Sequence, residues 1–103
     1  MITSRLSMIL TTDELSRIQI TEIENGELQI TADVHGMKCI QVRQLINNII
    51  SIVRSAFQLV IIHGYNHGTA IKDMLANDFN NVHISERHTD TYNYGVTHMS
   101  IAA

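Results

Sequence analysis

The sequence has no tryptophan and no proline, a single cysteine, and aromatic residues at only 5% of its 103 positions. Each shortage excludes something. With Cys39 alone no internal disulfide can form, and a reducing compartment, the cytoplasm, is the expectation. Without proline the strongest helix-stop signal is gone, so turns must be read from Gly, Asn and Asp. With so few rings the core has to be aliphatic. Long apolar runs are missing too. No stretch reaches the ~18 residues of a membrane span, and Met8 to Leu10 is too short for the apolar region of a secretory leader. Cationic charge is scarce: seven Lys and Arg face ten Asp and Glu, a net charge of -3. That is the wrong sign for tight, purely electrostatic nucleic-acid binding.

What is present suits one compact domain, with 45% hydrophobic residues to fill a core. Acid is concentrated early, at Asp13, Glu14, Glu22, Glu24, Glu27 and Asp33. From Val34 onward five basic residues meet four acidic ones, so any phosphate binding there must use placed donors rather than bulk field. Thr11 and Glu14 have capping-box spacing, which predicts a short helical turn in "TTDELSR" within an N-terminal extension, residues 1–17; a mobile N-terminus is the alternative. "RIQITEIENGELQITADVHG" reads as two strands around an Asn25-Gly26 two-residue turn. Leu28, Ile30, Ala32 and Val34 alternate with polar residues, the period of a half-buried strand.

Val42, Leu45, Ile46, Ile49 and Val53 fall at helical spacing, and "FQLVIIHG" follows as a strand covered on both faces. A second helix is predicted from about Thr69 to Asp78, then a core strand "NVHISERH", a polar loop "TDTYNYG" and a final strand "VTHMSIA". After the first hairpin strand the order is β-α-β-α-β-β. Right-handed crossovers and parallel neighbours follow for the first strands, with an antiparallel pair at the end.

In such sheets ligands gather at the carboxyl ends of strands. Two candidate ends, "TADVHG" and "IIHG", bring His35 and His63 to one rim if their strands are parallel, with Asp33 on the same face of its strand as His35. Gly64 and Gly68 let the chain turn sharply. The N–H groups of Gly68, Thr69 and Ala70 would open a helix toward an anion, with Lys72 as a further donor. A Gly-containing loop of this kind also occurs where no phosphate binds. Of the six histidines, His83, His88 and His98 read as structural or incidental. His35, His63 and His67 match no local zinc spacing, so no metal site is expected. Cys39 reads as a small buried apolar residue. Tyr92 and Tyr94 could stack on bases, although loop tyrosines more often pack on their neighbours.

Two motifs resemble those of the small MutS-related (Smr) domain family. Ala32-Asp33-Val34-His35-Gly36 is similar to its Leu-Asp-x-His motif, and His63-Gly64-Tyr65-Asn66-His67-Gly68 to its His-Gly-x-Gly-x-Gly loop. The closing "YGVTHMSI" resembles the family's terminal strand, so the likeness covers roughly residues 28–102. The resemblance implies an α/β, two-layer sandwich like the C-terminal domain of translation initiation factor three. Its sheet is mixed, both helices lie on one side, and an N-terminal hairpin strand is added in a domain of residues 18–103.

The resemblance further implies DNA or RNA as partner, with ribosome- or repair-associated proteins as others; the lack of a long apolar stretch predicts no membrane partner, and the small size of the domain predicts a monomer. DNA nicking or RNA cleavage would use Asp33, His35 and His63. Gly64, Asn66, His67, Gly68, Thr69 and Lys72 would hold phosphate. A divalent cation such as Mg on Asp33 would lack a second carboxylate partner. The departures are Ala32 for Leu, Asn66 for the middle Gly and Lys38 as a poor N-cap; they tell against the inference of catalysis more than against that of binding. The alternative is a non-catalytic RNA- or protein-binding adaptor using the same rim. Residues 1–17 are expected to cover the sheet face opposite the helices.

Overall fold

A computed structural model describes residues 2–23, 26–53, 55–64 and 69–102. The chain begins with helix α1 (Ile2–Ile9) and the short α2 (Thr12–Ser16). Hairpin strands β1 (Ile18–Glu22) and β2 (Leu28–Asp33) follow, then helix α3 (Cys39–Ile52) and strand β3 (Phe57–Ile62). Helix α4 (Ala70–Asp73) continues into a π-helical turn (Met74–Asp78), and strands β4 (Ile84–Thr89) and β5 (Val96–Ile101) complete the chain. The five strands form one mixed sheet in the order β1-β2-β3-β5-β4. This is an α/β protein with the expected element sequence. No described helix is long and apolar enough to cross a membrane.

Local chemistry accounts for the helix boundaries. Thr11 Oγ1 accepts from the Glu14 backbone at 3.1 Å while Glu14 Oε1 accepts from the Thr11 backbone at 2.9 Å, so the capping box starts α2. Lys38 cannot cap α3 with its side chain, and Gln41 Oε1 takes the Lys38 N–H at 3.0 Å instead. Val42, Leu45, Ile46 and Ile49 of α3 are fully buried, with Val53 almost so, as their spacing requires. The π-helical turn closes with the Phe79 N–H on the Met74 carbonyl at 2.8 Å. Its carboxyl end is satisfied by Arg87, whose Nη1 donates to the Leu75 carbonyl at 2.8 Å and to that of Phe79. A cation there also suits the negative end of the helix.

The pleat divides the sheet into two faces. Ile30, Ala32, Phe57, Leu59, Ile61, Met99 and Ile101 lie under the helices with 0–4% exposure. The other face carries Gln29, Thr31 and Asp33 of β2, Gln58, Val60 and Ile62 of β3, and Val96, His98 and Ser100 of β5, all half-buried.

Three expectations need correction. Residues 1–17 do not cover that second face: α1 packs on α3, and Leu6 and Leu10, 1% and 5% exposed, join the main core. β4 is an edge strand rather than a core one, because β5 inserts between it and β3; only Ile84 packs against the core. The first hairpin is also one residue off a two-residue turn. Glu22 pairs with Leu28 and the Ile23 N–H meets the Glu27 carbonyl at 2.8 Å, which leaves a three-residue loop closed by Gly26 at φ 76°. Glu24 and Asn25 themselves lie outside the described residues.

Candidate functional site at the carboxyl rim

β2 and β3 are parallel and in register, Asp33 opposite Ile62, and the Val34 N–H continues the ladder to the Ile62 carbonyl at 2.8 Å. Their ends therefore share a rim. A Cβ placed on Gly64 would sit 3.8 Å from the Cβ of His35. Gly64 has φ 73°, the left-handed conformation the sharp turn demands. The N–H groups of His63 and Gly64 both donate to the Gly95 carbonyl, at 2.9 and 3.0 Å, which fastens this turn to the start of β5.

Asp33 and His35 form a pair. Asp33 Oδ1 accepts from the His35 backbone at 3.3 Å and lies 2.5 Å from His35 Nδ1. Partial burial raises the Asp33 pKa, but the hydrogen bonds from the His35 ring and backbone outweigh it, aided by the charges of His35 and Arg17. The carboxyl ends below its ordinary 3.8. An ionised carboxylate can only accept, so Nδ1 carries the proton and Nε2 is left to face solvent. The His35 side chain is 68% exposed.

His63 behaves differently. It follows Ile62 and so points under the helices, with 7% exposure. Its Nδ1 donates to the Gly64 carbonyl at 2.9 Å and its Nε2 accepts from Thr97 Oγ1 at 2.8 Å. Both ring nitrogens are engaged, and the side chain braces β3 against β5. Asp33 and His63 thus share an edge but occupy opposite faces.

The predicted phosphate loop is covered only in part. Asn66, His67 and Gly68 lie outside the described residues. Thr69 is described; its hydroxyl donates to Asp73 Oδ2 at 2.8 Å, so a carboxylate already occupies the opening turn of α4. Lys72 sets its Nζ 5.8 Å from the centre of the Tyr94 ring. Among the described residues no three of His, Cys, Asp and Glu gather as a metal ion would need. Asp33 engages His35, and Asp13, the other acid lining the same cleft, engages Arg17.

Sequence reading missed Arg17. Its Nη1 donates to the carbonyls of Asp33 and His35, each at 3.2 Å, and its Nε to Asp13 Oδ2 at 3.2 Å. Asp13, Arg17, Gln19, Thr31, Asp33 and His35 line a cleft of about 380 Å³ on the uncovered side of the rim. No local signal marked it: a two-residue Asn25-Gly26 turn would set Arg17 opposite Val34, and only the observed register, Ile18 with Ala32, puts it opposite Asp33.

A second Asp–His pair was missed as well. His98 Nε2 meets Asp90 Oδ2 at 2.7 Å, and the His88 ring stacks on His98 with centres 5.1 Å apart. The bond from His98, with backbone donors Tyr92 and Asn93, holds the Asp90 carboxyl below its ordinary value. No family model, curated protein or solved structure matches this chain.

Proposed function

We propose that this chain is a nucleic-acid-binding domain of the small MutS-related kind, with a sheet like that of initiation factor three, and that its Asp33–His35 pair cleaves phosphodiester bonds. The observation that carries the reading is the solvent-facing imidazole of His35, held at Nδ1 by Asp33 on the carboxyl rim of a parallel strand pair. Asp33 fixes the tautomer and orients the ring through its bond to Nδ1. Nε2 takes the proton of an attacking hydroxyl, from water or a ribose, as its oxygen bonds to phosphorus. The departing oxygen then recovers a proton from His35 or solvent.

His35→Ala is expected to lower single-turnover cleavage of labelled RNA, or nicking of supercoiled plasmid, by roughly a hundredfold or more, the usual contribution of a positioned acid/base. Asp33→Asn follows with a smaller loss. Both are measured with and without magnesium. Cleavage by His35→Ala at the wild-type rate would remove the catalytic reading.

A second reading, a non-catalytic adaptor binding RNA or protein, is favoured by the charge of the rim. Asp13 and Asp33 line its cleft, whereas Arg17 is engaged by carbonyls and Asp13, and Lys72 leans on Tyr94. Binding without turnover in the same assay would select it.

A further inference from the structure

The loop joining β4 to β5 presents aromatic rings to solvent from a fixed frame. Asp90 Oδ1 accepts the N–H groups of Tyr92 and Asn93 at 2.9 and 3.0 Å, while its Oδ2 meets His98. Asn93 Oδ1 accepts the Gly95 N–H at 2.9 Å, and the Val96 N–H donates to the Asn93 carbonyl at 3.1 Å. Within this frame Tyr92 is 97% exposed and Tyr94 is 66% exposed, with Lys72 beside the latter. Such rings leave apolar area unburied, and the backbone that carries them is already ordered before any ligand arrives.

Resting on the reading above, we infer that Tyr92 and Tyr94 are a stacking platform for unpaired bases, so that the substrate is single-stranded nucleic acid. The location fits. Tyr94 precedes Gly95, whose carbonyl receives the turn at Gly64, and Gly64 lies against His35. Only β3 separates β2, which ends at Asp33, from β5, which begins at Val96, so the tyrosine loop and the Asp33–His35 pair lie at the same edge of the sheet. The low cation count points the same way: a duplex hides its ring faces and is held chiefly through many phosphate contacts, whereas stacking is paid by the rings. Along the loop Tyr92 is flanked by exposed polar Thr91 and Asn93 rather than by apolar neighbours, unlike the continuous apolar patch of a protein interface.

The test is fluorescence anisotropy with a short fluorescein-labelled oligonucleotide of mixed sequence, as RNA and as DNA, alone and annealed to its complement. Tyrosine emission is followed in parallel, since the chain contains no tryptophan. Wild type is expected to bind the single strand at least about tenfold tighter than the duplex, with quenched emission. Tyr92→Leu is expected to lose about tenfold of single-strand affinity, the effect of one stacked base, and Tyr92→Trp to retain it. Wild-type single-strand affinity in Tyr92→Leu/Tyr94→Leu, a preference for duplex, or a protein partner requiring Tyr92 while no oligonucleotide binds would each overturn the platform. If that double variant binds normally while His35→Ala does not cleave, the platform fails and the chemistry stands. Lost binding in the double variant with normal cleavage by His35→Ala gives the converse.

Discussion

The two rim histidines meet different fates because side chains alternate along a strand. Asp33 and His35 are two apart and emerge on the uncovered side, while His63, one residue past Ile62, turns beneath the helices to Thr97. A solvent-facing ring with one nitrogen held by a carboxylate can move protons; a ring with both nitrogens engaged inside the fold is a brace. His63→Ala should therefore act on stability. It leaves the Thr97 hydroxyl, 4% exposed, without its partner. Urea unfolding should show a loss of about 1–3 kcal/mol, the cost of a buried polar group left unpaired. The pH dependence of any activity should stay where it was.

At the scale of elements, the helices and strands follow their local signals, but their partners do not. The capping box at Thr11 and the apolar stripe of α3 were readable, as was the positive φ of the glycine in the first hairpin. The packing of α1 was not, because "RLSMIL" carries no mark of which surface it meets. Leu6 is 1% exposed in the core beside α3, which makes the extension part of the fold rather than an appendage. Leu6→Ala is expected to destabilise the protein by about 2–4 kcal/mol by leaving a cavity. Thermal unfolding followed by circular dichroism checks this, and an unchanged midpoint would mean that α1 does not dock there.

For the molecule as a whole, the radius of gyration is 12.8 Å. That is the value of about 13 Å expected for a compact chain of this length, as it should be with the N-terminal helices packed in. Global stability should carry the signature of the two Asp–His pairs. Asp33 and Asp90 are both held below the ordinary carboxylate value of 3.8. Their contribution is complete above that pH and is lost as pH falls through the depressed folded-state values. Chemical denaturation across the acid range should show stability declining below about pH 4, and less steeply in Asp33→Asn. The effect should be modest, because both pairs are partly exposed.

The sequence by itself determined the α/β class, the order of elements, the residues of the α3 stripe and the pairing of Asp33 with His35. All of these depend on periodicities and contacts within a few residues. Tertiary structure decided the rest. The three-residue hairpin loop put Arg17 opposite Asp33, and the insertion of β5 made β4 an edge. The in-register parallel pairing of β2 with β3 sent His63 to the face away from Asp33. Each of these depends on strand register or strand order, which join residues far apart in the chain. A shift of one residue exchanges the two faces of a strand without changing its local pattern.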